Sequence, residues 1–459
     1  RRHIIPPHIA ARENMAFGPF GFLFRGAGAF FLRKSFDDAL YKTIFRTYVA
    51  HLIKQGFTQE FFIEGGRSRT GKSLSPRLGM LNWNVEAFVA SGRRDLFFVP
   101  IAITYERLVE EGAMVDELEG HEKSSESMLG LMRARKFLQR RFGSVFVNFG
   151  EALSLAQALG KERELFEAEV EPGEVSVREA AGAKVSEDRE PQKRDFSEDR
   201  EPQKHDLSEV REQQKRVFTE ALANDLVERI NWSIVANATS VAACALLGEP
   251  RQGLFRNELV QRMSQVVELL RLQDVRLTPA LLADEPEFED SIGFMIRSGL
   301  IKSEQDPRGE ILFYEDGTRR ALDVYRNVLF HFLMAPSLIA REVLHGTTRA
   351  DLGRELDFWL DLLYREFFAP KALIQAALVP AFIDYFARIG VLEVSGEGLA
   401  PTEKGRDYFA FLSEQTRSLL EAYHAAFSAI AASEEPASAK QLEKEAEQHF
   451  RRAHLVGDV

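Results

Sequence analysis

Ser186 to Phe196, Ser197 to Leu207 and Ser208 to Phe218 are three copies of one 11-residue pattern, close in the first two and looser in the third. With so few large apolar residues the tract cannot bury a core, and Pro191 and Pro202 interrupt any long helix through the first two copies. An 11-residue period can support a right-handed coiled coil, but not with about one apolar residue per repeat. Residues 172–217 are therefore expected to form a polar insert, disordered or intermittently helical. The chain should then carry one folded body on each side of it, over residues 1–160 and 219–459.

Both flanks have the composition of globular domains, with 45% hydrophobic and 28% charged residues in the chain as a whole. One cysteine, Cys244, excludes an internal disulfide framework and a thiolate zinc cluster. No run of about 18 uncharged apolar residues occurs, so no membrane-spanning helix is predicted; peripheral membrane contact stays open. The charge is uneven. Residues 1–150 hold 22 Lys and Arg against 15 Asp and Glu, and residues 219–459 hold 25 against 37. A basic amino-terminal third on an acidic protein suits an anionic ligand or lipid headgroups, though a solvated surface of fluctuating charge would look the same. The chain opens Arg-Arg-His, with no Met, signal-peptide core or transit-peptide composition, and reads as part of a longer protein.

The first third alternates helical and strand-like runs. Leu40 to Phe57 places Ile44, Phe45, Tyr48, Val49, Leu52 and Ile53 on one stripe and stops at Gly56. Glu60 to Glu64 reads as a strand, Leu78 to Ala90 as a helix, Leu96 to Thr104 as a buried strand through Pro100, Met128 to Phe142 as a basic helix and Val145 to Phe149 as a strand. This is an α/β pattern. From Phe218 onward the chain is mainly helical. Phe294 to Ile301 and Tyr385 to Leu392 resemble each other, each followed by a Gly-containing hairpin and a helix. That order suggests a winged helix, but the region's acidic balance argues against nucleic-acid binding, which depends on Lys and Arg neutralising phosphates.

Phe61-Phe-Ile-Glu-Gly-Gly-Arg-Ser-Arg-Thr-Gly-Lys-Ser73 supports two readings. Gly66 to Ser73 satisfies the Walker A pattern of a nucleotide phosphate site. Its surroundings do not fit, because a P-loop opens directly into a helix and here Pro76 follows four residues past Lys72. No apolar strand ending in Asp follows to hold magnesium. Alternatively, a strand end presents Glu64, two glycines that admit close backbone approach, and Arg67 and Arg69 flanking Ser68. Two guanidinium groups so placed can grip a phosphate bidentately. A surface turn with an ordinary salt bridge is the plain alternative.

Two further runs favour a phosphate site. Gly28-Ala-Phe-Phe-Leu-Arg-Lys-Ser-Phe36 sets Arg33 and Lys34 at the end of an apolar strand, and Val99-Pro-Ile-Ala-Ile-Thr-Tyr-Glu106 ends a strand in polar residues. In order and approximate spacing, the three runs resemble three of the four sequence blocks of the glycerol-3-phosphate acyltransferase family. Val145 to Glu151, Arg229 to Trp232, Tyr325 to Asn327 and Pro336 to Leu338 are similar to its large bacterial membrane-associated branch. The resemblance implies an α/β acyltransferase domain, a mixed sheet flanked by helices, followed by a mainly helical carboxyl-terminal domain.

It also implies transfer of a fatty acyl group from acyl-CoA or acyl carrier protein to the 1-hydroxyl of glycerol 3-phosphate. The product is lysophosphatidate, no cofactor is needed, and the place of work is the cytoplasmic face of the bacterial inner membrane, with peripheral phospholipid contact and no nucleic acid. Dihydroxyacetone-phosphate acyltransfer is the sibling activity that the same residues could serve. Carried over by position, Arg33, Glu64, Gly65, Arg67, Ser68 and Arg69 would hold glycerol 3-phosphate, and Pro100 would shape the acyl side. At Lys34, where the family commonly has a second arginine, the charge stays but the fork is lost.

In the family a His-x4-Asp block supplies the base and its orienting carboxylate. None of the 10 histidines here has Asp five positions on. His121-x4-Glu126 lies after the second block, in what reads as a solvated loop, and His3 and His8 flank a Pro-Pro turn and read as structural. The catalytic block is thus expected upstream of Arg1, leaving this chain inactive alone. Phe17, Phe20, Phe22, Phe24, Phe30, Phe31 and Phe36 crowd the opening, where they either pack a core or line an acyl tunnel or lipid contact.

Overall fold

The computed structural model describes residues 6–16, 18–33, 35–66, 68–106, 143–167, 203–283, 287–433 and 438–456. They divide into two compact units. The first comprises Arg1–Arg67, Leu74–Pro100 and Gly150–Arg229; the second comprises Ser68–Ser73, Ile101–Phe149 and Ile230–Val459. The chain therefore changes unit inside the Gly-Gly-Arg-Ser-Arg run and again at Pro100. Arg67, Lys34, His3, His121 and the basic helix expected over Met128 to Phe142 lie outside the described residues.

In the first unit, strands Ala29–Leu32, His8–Arg12 and Gln59–Glu60 form a parallel sheet in that spatial order. The helix Ala39–Gln55 connects its two outer strands. Asp38 caps it, accepting from the Leu40 and Tyr41 amides, and Gly56 ends it at φ 80°, a left-handed angle that costs glycine little. Phe45, Val49, Leu52 and Ile53 are buried as the stripe implies, but Ile44 and Tyr48 are exposed. The buried face packs on Trp83 and Ala87 of the helix Leu78–Ser91, and Phe30 and Phe36 close the same cluster. Those two phenylalanines are partly buried against the core; Phe22, on the helix Gly18–Gly26, is 84% exposed.

The strand read through Pro100 is broken there. Phe97–Phe98 pairs with Leu153–Ser154 in the first unit, while Ile101–Tyr105 pairs antiparallel with Val145–Phe149 in the second. A proline lacks the N–H that a continuous ladder needs, and only the Pro100 carbonyl is used, by the Gly150 amide at 2.8 Å. Nor is the run buried, since Phe97, Val99, Ile103 and Tyr105 are exposed.

The insert differs from expectation at its end. Pro202 stands just before a helix that begins at Gln203 and runs to Trp232, so residues 203–217 are its first half. Arg211 donates to the Leu165 and Glu164 carbonyls at 2.7 and 2.8 Å, and buried Lys215 lies over the Phe166 ring. The third repeat copy, which lacks the proline, thus packs within the first unit. Residues 172–202 lie outside the described part.

In the second unit a strand, a long helix, a second helix, a hairpin and a closing helix follow one another in that order twice, with short elements interposed between the two helices each time. Strand Gly253–Phe255 adds to the hairpin Lys302–Asp306 and Gly309–Phe313, just as Thr347–Thr348 adds to Leu392–Ser395 and Gly398–Pro401. The helix Asp316–Leu344 lies in the core of this unit, with Leu322, Leu329, Phe332, Leu333 and Ile339 fully buried. By length and composition it could cross a membrane, yet 78% of its apolar stretch is buried in the protein. The chain is thus an α/β region followed by a mainly helical one.

Candidate active site

Sites in parallel sheets form beyond the carboxyl ends of the strands, where loops converge. Here those ends deliver Arg33 after Leu32, Arg12 at the end of the central strand, and the turn Phe61–Glu64 after Glu60. Register pairs Arg12 with Leu32, so the two arginines leave neighbouring strands one position apart. The Arg12 Nη2 donates to the Gly65 carbonyl. Arg33 is oriented from its own side: its guanidinium sits 4.5 Å from the Tyr41 ring centroid and 3.6 Å from Asp38, and its amide donates to the Tyr41 hydroxyl at 3.1 Å. Sequence reading missed Arg12, because nothing local marks it; only the parallel register places it beside Arg33.

The loop after the third strand is tied at its base. The Arg77 amide donates to the Ile63 carbonyl at 2.8 Å, and the Leu74 amide donates to Glu64 Oε2 at 3.1 Å. Burial pushes the Glu64 carboxyl above its ordinary value, and the Leu74 amide only partly offsets this. Glu64 therefore shapes the loop by accepting from its backbone. Gly65 turns at φ 62°, and a Cβ there would come within 2.9 Å of Arg77 Cγ, so glycine is required twice over.

Ser68 and Arg69 belong to the second unit with the segment that follows them. The Ser68 hydroxyl is buried without a hydrogen-bond partner among the described residues, and Arg69 is exposed. Pro100 is buried at the point where the chain changes unit.

The Walker reading does not survive the geometry. Ser73 opens no helix; the next one starts at Leu78. Lys72 pairs with Glu366 and stands 4.9 Å from the Phe367 ring centroid, so its charge is already matched within the protein.

His8 precedes Glu13 by five positions, a spacing that resembles the missing block. Both lie along or just past an extended strand, however, and five residues at about 3.3 Å each separate them by roughly 16 Å. They cannot form a dyad. His8 instead meets the Phe57 ring edge-on at 5.1 Å.

These features define an acyltransferase-type α/β region: residues 1–104 match the family described as acyltransferase. Residues 114–459 match the family described as the glycerol-3-phosphate acyltransferase C-terminal region. The chain belongs to the glycerol-3-phosphate acyltransferase family. A glycerol-3-phosphate acyltransferase of Pseudomonas paraeruginosa (strain DSM 24068 / PA7) is 32% identical over 341 residues, 74% of this chain and 36% of that protein. The chain thus spans about a third of the length of the curated relative it matches.

Proposed function

We propose that this chain carries the glycerol-phosphate-binding part of an enzyme that acylates the 1-hydroxyl of glycerol 3-phosphate from acyl-CoA or acyl carrier protein. The hydroxyl oxygen attacks the thioester carbonyl, the C–S bond breaks, and lysophosphatidate and the free thiol leave. The observation that carries this reading is the cluster at the carboxyl ends of the parallel strands, Arg33, Arg12 and the Glu64–Gly65 turn, in a chain of this family. Arginine forks suit a phosphate dianion, and the charged hydrogen bonds they form are the strong kind. The family resemblance assigns Arg67, Ser68 and Arg69 to glycerol 3-phosphate as well, and Pro100 to the acyl side.

The reaction needs a base for the hydroxyl proton, and we place it in a His-x4-Asp block upstream of Arg1. No cofactor enters this mechanism. Exposed Phe22 and Leu23 suit peripheral contact with phospholipid at the cytoplasmic face of a bacterial inner membrane. The test is lysophosphatidate formation by the full-length enzyme from labelled glycerol 3-phosphate and acyl-CoA. A preference for dihydroxyacetone phosphate, or no acyl transfer at all, would overturn the assignment.

A further inference from the structure

Of the four consecutive residues Thr70 to Ser73, three are bonded to different side chains of the helical unit and the fourth, Gly71, is closely packed against its backbone. The Asn327 side-chain amide donates to the Thr70 carbonyl at 2.7 Å. Gly71, at φ 80°, lies so close to the Val324 carbonyl that a Cβ would stand 2.2 Å from its oxygen. Lys72 pairs with Glu366, whose other oxygen accepts from the Tyr423 hydroxyl at 2.8 Å. The Ser73 hydroxyl donates to Asn231 Oδ1 at 2.6 Å, and Asn231 is itself fixed, its amide donating to the Phe367 carbonyl at 2.9 Å and its carbonyl lying 3.1 Å from His331 Nε2. Asn231, Asn327 and His331 are all buried. Burial pushes the His331 ring down to about 4, which keeps it neutral.

We propose that Asn327, Asn231 and the Lys72–Glu366 pair are positioning residues for the phosphate grip at Arg69, acting through the loop without themselves touching substrate. The inference rests on the reading of the loop as the glycerol-phosphate site. Thr70 is the residue after Arg69, so fixing its carbonyl fixes where the arginine leaves the backbone. An untethered glycine-bearing turn would sample many directions, and displacements of about 1 Å at a binding group can cost roughly 10²-fold in rate. The same account assigns Lys72 a role that its Walker-like setting hides: it is a tether, and its charge serves Glu366 and the Phe367 ring.

The test uses the full-length enzyme. Lys72→Glu, Glu366→Lys, the double exchange and Asn327→Asp are compared by kcat, by KM for each substrate and by amide hydrogen exchange over residues 66–73. Each single change should raise the KM for glycerol 3-phosphate about tenfold and speed exchange in the loop, while the KM for acyl-CoA stays within about twofold. The double exchange should recover most of both. An unchanged glycerol-phosphate KM, equal changes in both KM values, or no recovery in the exchange would overturn the proposal. If the charge variants do not fold, Asn327→Asp and Asn327→Ser decide by the same split. A wild-type enzyme without acyl transfer would defeat the functional reading instead, and hydrogen exchange would still show whether these residues hold the loop.

Discussion

Asn327 reaches across 257 positions of sequence to bind the carbonyl of Thr70 at 2.7 Å, and the next residue, Gly71, is pressed against the Val324 carbonyl one turn earlier on the same helix. Together these contacts make Gly71 the least replaceable residue of the segment. Gly71→Ala has to absorb a left-handed φ, worth about 1–2 kcal/mol, and a backbone clash besides. Gly92→Ala has a similar φ of 67° with nothing within 4 Å, so it should cost only the first term. Urea midpoints of the two variants check this; equal shifts would show that the loop moves aside freely.

Two titratable groups shifted by desolvation give stability opposite pH slopes. The Glu64 pKa is raised by burial, so the folded state holds its proton longer than the unfolded chain, and stability falls as pH climbs from about 4.5 through the raised value. Glu64→Gln keeps an oxygen for the Leu74 amide and should remove that decline. For His331 the folded value of about 4 lies below the ordinary 6.5. The unfolded chain then binds the extra proton, and up to about 3 kcal/mol present above pH 6.5 is lost as pH falls towards 4. His331→Asn should flatten the acid limb of a stability-versus-pH curve, and an unchanged limb would show that His331 takes up its proton in the folded state.

Much of the local architecture was legible. Gly56 ends the helix it was read to stop, the apolar run 29–32 is a strand with Arg33 at its end, and Val145–Phe149 is a strand as read. What local pattern could not give were pairings between distant residues. The parallel register that sets Arg12 beside Leu32, and the bonds from Thr70, Lys72 and Ser73 to Asn327, Glu366 and Asn231, leave no periodicity in sequence. The quoted likenesses around Asn231 and Asn327 were the available signal, but only their contacts show why those positions matter. Pro100 misled in the other direction: an apolar run on both sides suggested one strand, and the missing N–H divides it.

Arg12 provides a further test of the strand-end site. Its guanidinium spends one donor on the Gly65 carbonyl and has others to offer a phosphate at the same edge. Arg12→Ala should lower kcat/KM for glycerol 3-phosphate by about 1–3 kcal/mol, the usual worth of a hydrogen bond to a charged group. Arg12→Lys should fall between, since lysine keeps the charge without the fork. Kinetics untouched by both changes would reduce Arg12 to a surface contact.

The 459-residue chain should bind glycerol 3-phosphate and fail to turn it over. The proposed ligands at Arg33, Arg67 and Arg69 are present, while no histidine in it has Asp five positions on and His8 is held away from Glu13 by the extended strand between them. Loss of a general base costs about two to four orders of magnitude. Calorimetry with glycerol 3-phosphate, run beside a radiolabel assay with acyl-CoA in detergent micelles, separates the two properties. Turnover near that of the full-length enzyme would mean that the base lies within these residues, and single replacements of His3, His8 and His121 would locate it. Binding that fails while the chain remains folded would instead show that the arginine grip forms only when the upstream block is in place.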